Sequence, residues 1–121
     1  MRHSAPKPIG AYSQAVQHGG LLYVSGQIPL VPATMELVSI DIEQQVNQVF
    51  DNLSAIAAAA GTTLNETIKF TVYLTDLVHL SIVNEVMAQR LTPPYPARVT
   101  LEVLALPKSA LVEIDAIVAI N

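Results

Sequence analysis

Apolar residues recur along this chain with two different periods, and the switches between them predict the order of its elements. From Asp41 to Ala60, residues Ile42, Val46, Val49, Phe50, Leu53, Ile56 and Ala60 fall at three- and four-residue steps, the stripe of an amphipathic helix. Asp41 with Gln44 resembles a capping box at its start, and Gly61 is placed to stop it. Strict alternation follows in Ile68, Phe70, Val72 and Leu74, with Lys69, Thr71 and Tyr73 facing away. A second helix is predicted from about His79 to Leu91, burying Leu80, Val83, Met87 and Leu91, and Pro93 and Pro94 end it.

Period two dominates the two ends of the chain. Ala11–Val16 and Leu21–Ser25 suit strands, with His18-Gly19-Gly20 as a hairpin turn between them. Gly26 allows close backbone approach, Pro29 stops further pairing, and 31–38 is a connection carrying Pro32 and Thr34. Near the C-terminus, Val99, Leu101 and Val103 alternate with Arg98, Thr100 and Glu102. Beyond a short link containing Pro107 and Lys108, Val112, Ile114, Ala116 and Val118 alternate with Glu113 and Asp115. The shortness of that link predicts antiparallel pairing of these two arms. With their apolar faces aligned, Arg98, Thr100 and Glu113 would open onto one side of the sheet. The order strand, strand, helix, strand, helix, strand, strand places two helices on one sheet face, an α+β layer.

Composition decides what covers the other face. One domain is expected over residues 1–121, and 51% of them are hydrophobic against 13% charged, more apolar surface than a small monomer needs inside. Burial of the second face in an oligomer would absorb the surplus. The net charge of −4 argues against a partner bound mainly through phosphates. With no cysteine, thiol and disulfide chemistry are out. Residues 1–10 carry Pro6 and Pro8, lack the apolar core of a signal peptide and read as a loosely held arm. No apolar run approaches the ~20 residues of a membrane span. The expectation is a soluble, cytoplasmic protein with no membrane partner.

Few residues offer chemistry, and each has an ordinary alternative. Arg98 is either a solvated or ion-paired strand residue or a planar fork for a carboxylate. Glu113, set between Val112 and Ile114, is either a partner for Lys108 or Arg98 or a half-dry carboxylate able to hold water and accept its proton. Tyr12 reads as a core-rim aromatic or as a site hydroxyl. His3, His18 and His79 have no metal-ligand spacing, and Asp51, Glu66, Asp76 and Glu85 read as solubilising charge. Ser25 lacks the preceding glycine of a nucleophile elbow, and no phosphate loop or dinucleotide fingerprint occurs.

Taken together, Ile9-Gly-Ala-Tyr-Ser-Gln-Ala-Val16, Ser25-Gly-Gln-Ile-Pro29, Pro96-Ala-Arg98 and Leu106-Pro-Lys108 with Val112-Glu-Ile114 make the chain similar to the RidA/YjgF family of reactive-intermediate deaminases. The resemblance spans essentially the whole chain. It implies a chorismate-mutase-like α+β fold and a homotrimer with a cleft between adjacent subunits. It also implies hydrolysis of small 2-imino or enamine acids to 2-keto acids and ammonia, without cofactor or metal. On this resemblance Arg98 would bind the substrate carboxylate, Glu113 and Tyr12 would hold and orient the attacking water, and Ser25, Gly26 and Thr100 would line the cleft. The departures are Ala11 for a proline, Met35 for a turn glycine that would be strained at positive φ, Val99 for a small polar residue, and Arg90-Leu91 for an aromatic pair. Two other functions stay open: an endoribonuclease, an activity also attached to the family, and a non-catalytic trimeric binder of small carboxylates that regulates a partner.

Overall fold

A hairpin of β1 (Ala15–His18) and β2 (Leu21–Gln27) begins the molecule, which a computed structural model describes over residues 5–120. His3 therefore lies outside the described residues. His18 pairs with Leu21 across Gly19-Gly20, and Gly19 supplies the positive φ (62°) of the two-residue turn. β1 starts later than the alternation suggested, because Ser13 and Gln14 spend their carbonyls on Ser25. The Ser25 hydroxyl donates to Ser13 O (2.6 Å) and its N–H to Gln14 O (2.9 Å). The connection after Pro29 is itself a small hairpin, β3 (Leu30–Val31) with β4 (Glu36–Leu37), turned by Met35 at φ 60°. The left-handed conformation expected to strain this residue is present.

Helix α1 (Ile42–Ala59) starts where the cap predicts: the Asp41 carboxylate accepts from Gln44 N–H (2.9 Å), and Gly61 at φ 82° follows its end. Val46, Val49, Phe50, Leu53 and Ile56 are buried against the sheet. Two buried polar side chains on α1 fix what lies beside it. Gln45 donates to Ser39 O and accepts from Leu111 N–H, while Asn52 donates to Leu30 O. Then β5 (Thr67–Leu74) leads through a short turn into α2 (Leu80–Arg90), which packs beside α1. Arg90 clasps the two helices, reaching Asn47 (3.0 Å) and Asp51 (2.8 Å) with its guanidinium about 6.0 Å from the Phe50 ring centre. This departure from an aromatic pair thus serves the contact between helices.

The last two strands, β6 (Ala97–Glu102) and β7 (Val112–Ala119), complete a sheet in the order β1-β2-β7-β5-β6. The expected antiparallel pairing of β6 with β7 does not occur. β5, α2 and β6 form a crossover unit, so β6 runs parallel to β5 at the edge, and β7 enters between β5 and β2, antiparallel to both. The link from β6 to β7 passes over the end of β5, tied by Val103 N–H to Leu74 O (2.8 Å) and Thr75 N–H to Leu111 O (3.2 Å).

Register assigns the faces. Val112, Ile114, Ala116 and Val118 are buried under the helices together with Phe70, Val72 and Leu74. Parallel pairing sets Arg98, Thr100 and Glu102 beside Phe70, Val72 and Leu74, on the helix side, so Val99 and Leu101 share the open face with Glu113 and Asp115. The expectation that Arg98, Thr100 and Glu113 share one side is thereby overturned. Its cause is physical: an edge strand only partly covered by α2 turns its polar row toward the helix margin, where Arg98 and Glu102 reach solvent. The open face carries Val16, Tyr23, Val99 and Leu101 at 39–54% exposure. Among the described residues no helix is long and apolar enough to cross a membrane.

Candidate active site

β2 and β7 fall out of step between Val24 and Gln27: Val24 pairs with Ala116 but Gln27 with Ile114, which leaves one extra residue at Ser25-Gly26. Bulges of this kind re-aim side chains beside functional sites. Here the bulge makes room for Glu113. A Cβ added to Gly26 would lie 2.0 Å from Glu113 Oε2 and 3.1 Å from its Cγ, so the carboxylate occupies the space that any other residue would fill.

The arm from Ala5 to Gln14 folds over this point. Gln14 Nε2 donates to Pro6 O and so closes the arm on itself, and the two Ser25 bonds fasten it to β2. The result is a cavity of about 350 Å³ lined by Pro6, Lys7, Tyr12, Ser25, Gly26 and Glu113, among others. Four of the residues singled out in the sequence (Tyr12, Ser25, Gly26 and Glu113) therefore meet. Lys7 is an addition, since nothing in a polar, proline-bearing arm signals that it wraps a cavity.

Electrostatics set Glu113 apart from a surface acid. Burial raises its pKa above the ordinary carboxylate range, and the charge of Asp115, two residues along on the same face, raises it further. Asp115 accepts from the Tyr73 hydroxyl (3.0 Å), and Tyr73 is the cross-strand neighbour of Glu113. The Tyr73 hydroxyl is pushed up by burial, by that hydrogen bond and by both carboxylates. A carboxyl with a raised pKa and room for a small molecule beside it can work as a base near neutral pH.

Arg98 stands elsewhere. Its Nη1 donates to Asn84 Oδ1 (2.6 Å) and touches Met87 Sδ (3.6 Å), both on α2, beside a second cavity of about 430 Å³. No carboxylate pairs with it among the described residues. The Cα of Arg98 stands level with Ala116, two strands away and three residues along from Glu113, roughly 14 Å by standard strand spacings, and on the opposite face. A molecule of a few carbons cannot touch both groups of one chain. Thr100 lines neither cavity, and its buried hydroxyl has no partner among the described groups. Asn84, which steadies Arg98, was missed by the sequence reading. Its signal was there, a polar residue inside the Leu80–Met87–Leu91 stripe. Among the described residues no three His, Cys, Asp or Glu are grouped to hold a metal ion.

Comparison with known proteins agrees with this architecture. The model of the family described as endoribonuclease L-PSP matches residues 2–120. A RutC family protein of Pyrococcus horikoshii is 51% identical over 94% of this chain and 90% of its own length. A 2-iminobutanoate/2-iminopropanoate deaminase of Dermatophagoides farinae is 40% identical over 97% of this chain and 91% of its own. The crystal structure of RidA from the Antarctic bacterium Psychrobacter sp. superposes with a TM-score of 0.93 at 48% identity, covering 96% of this chain and 94% of that one.

Proposed function

The chain belongs to the endoribonuclease L-PSP family, to which the RidA proteins belong, and from that premise we propose that it hydrolyses short 2-imino acids, and the enamines in equilibrium with them, to 2-keto acids and ammonia. The observation that carries this reading is Glu113. It is a half-buried carboxylate with a raised pKa, seated on a glycine and facing a cavity closed by Tyr12 and the arm.

In the proposed reaction the water oxygen bonds to the imine carbon as Glu113 takes one of its protons. The C=N π pair goes to nitrogen, which takes that proton to give a carbinolamine. The remaining hydroxyl proton then reaches nitrogen by way of Glu113 as the C–N bond breaks with its electron pair on nitrogen, leaving the carbonyl and releasing ammonia. Tyr12 orients the water. A single positioned acid–base group contributes about 10²–10⁴ in rate, enough for imines that also hydrolyse unaided.

The carboxylate end of the substrate goes to Arg98, whose planar fork makes two parallel hydrogen bonds. Because Arg98 and Glu113 of one chain are too far apart and on opposite faces, the pairing is assigned to adjacent copies in a homotrimer. Exposed Val16, Tyr23, Val99 and Leu101 on the open face support such an assembly. The family's ribonuclease name has less behind it here, since a net charge of −4 opposes binding through phosphates.

The test supplies the imine in situ from an amino-acid dehydratase and follows keto-acid and ammonia release. Glu113→Gln should retain the fold and keto-acid binding while turnover drops by about two to four orders of magnitude. Full turnover with the amide would return Glu113 to a structural role.

A further inference from the structure

The cavity beside Arg98 has a composition that the reaction alone does not require. Its walls are the buried side chains of Phe70, Met87 and Leu91, with Ala88 and Tyr95 at the exposed margin. Polar groups come from Arg98 and Asn84, which bond each other. An arginine with no carboxylate partner among the described residues, set at the rim of an apolar hollow, is complementary to one kind of molecule: a small acid whose carboxylate adjoins an apolar tail. At about 430 Å³ the hollow is far larger than a methyl or ethyl group needs. Met87, unbranched and polarizable, lets one wall adapt to tails of different shape.

We propose that this hollow between α2 and β6 is the side-chain subsite of the enzyme and widens its range beyond the short 2-imino acids, selecting those with branched or aromatic side chains over the three-carbon one. The assignment rests on the hydrolase reading above. The substrate carboxylate lies on the fork of Arg98, the side chain enters between Met87, Leu91 and Phe70, and the imine carbon is left facing outward to the water held by Glu113 of the adjoining copy. Asn84 takes a positioning role. By holding Nη1 it fixes the plane of the guanidinium, so that carboxylate and tail enter together.

The experiment fills the hollow from its rim. Ala88 is exposed on α2, so Ala88→Phe can place a ring over the cavity without disturbing the core. Ala88→Leu is the smaller companion, and thermal melts verify that both fold. Imines are generated from alanine, leucine and phenylalanine by an amino-acid oxidase with catalase, and kcat/KM is measured for each. Wild type should favour the leucine- and phenylalanine-derived imines over the alanine-derived one by tenfold or more. Ala88→Phe should cut that ratio at least tenfold, and Ala88→Leu by less.

Equilibrium binding of the corresponding 2-keto acids should show the same ratios in Kd, whether or not turnover is seen. No hydrolysis by wild type, together with selective keto-acid binding that Ala88→Phe abolishes, would refute the proposed reaction and leave the subsite standing. A wild-type protein without preference for the larger tails, or a preference untouched in the folded variants, overturns the subsite.

Discussion

Gly26→Ala is the sharpest perturbation of the candidate base, because it touches Glu113 without altering it. The added Cβ would stand 2.0 Å from Oε2 and 2.9 Å from Cδ, and ordinary contact begins at 3.4 Å. The carboxylate oxygen must therefore swing away by about 1.4 Å, which the torsions of a glutamate allow at small cost. The backbone gives no reason for strain, since Gly26 does not have a positive φ. Replacing glycine by alanine at such a position gains about 0.4–1 kcal/mol through the unfolded state, which offsets the local crowding. Stability should therefore stay level or rise slightly.

Activity should not. A misplacement of about 1 Å in a positioned group can cost ~10²-fold, so kcat should fall by roughly that factor while the melting temperature holds. The assay is imine hydrolysis by Gly26→Ala beside Glu113→Gln, with thermal denaturation of both. If the alanine variant turns over like wild type, the glycine seat does not matter and Glu113 is not the base. Loss of activity only in proportion to loss of folded protein would refute the reasoning equally well.

Three further outcomes follow from the same geometry. Asp115→Asn keeps an acceptor for the Tyr73 hydroxyl but removes the charge that raises the Glu113 pKa, so the acid limb of the pH–rate profile should move to lower pH; an unmoved limb would disconnect Glu113 from that limb. Because the native state holds this proton more tightly than the unfolded chain, the contribution of Glu113 to stability is present below the ordinary carboxylate pKa and lost as pH rises through the raised one. Glu113→Gln should remove that fall from the stability curve. Arg98→Lys should be nearly as damaging as Arg98→Ala, by about ten- to a hundredfold in kcat/KM, since a lysine keeps the charge but loses the planar fork; near-wild-type hydrolysis by the lysine variant would dismiss the clamp.

Local periodicity made the element order and most of the core legible. The α1 stripe, its Asp41 cap, the Gly19-Gly20 turn and the burial of Val112, Ile114, Ala116 and Val118 all follow from residue spacing. Periodicity cannot tell which of two faces meets the helices when a strand carries a mixed row on each side. In β6 the apolar row Val99–Leu101 looked like core and is open, because a crossover through α2 put the strand at an edge. The site divided in the same way. Tyr12, Ser25, Gly26 and Glu113 lie near one another once β2 and β7 pair, whereas the bulge that seats Glu113 is a tertiary mismatch of register with no sequence signature beyond a glycine. Gln45 and Asn52 fall outside the apolar stripe of α1 yet are buried, bonded to Leu111 and Leu30, both remote in sequence.

The crossover has one more consequence, and it offers the most direct check on how the site is assembled. With Arg98 on the helix margin of an edge strand and Glu113 on the opposite face of a central one, a chain that binds and activates one small substrate needs a second copy to supply one of the two groups. Two impaired variants should then rescue each other. In a closed ring of identical contacts, each interface takes the arginine from one copy and the glutamate from its neighbour. Arg98→Ala chains keep Glu113, and Glu113→Gln chains keep Arg98. Co-refolded in equal amounts and mixed at random, about one interface in four joins an intact arginine to an intact glutamate, so about one quarter of wild-type activity should return. Either variant refolded alone should keep only its residual activity, about a tenth of wild type or less, and so should the double variant mixed with itself. If both groups act from the same chain, every chain in the mixture lacks one of them and no activity returns. A mixture that forms assemblies of wild-type mass yet stays inactive would therefore remove the shared site, and with it the pairing of Arg98 and Glu113 on which the proposed chemistry depends.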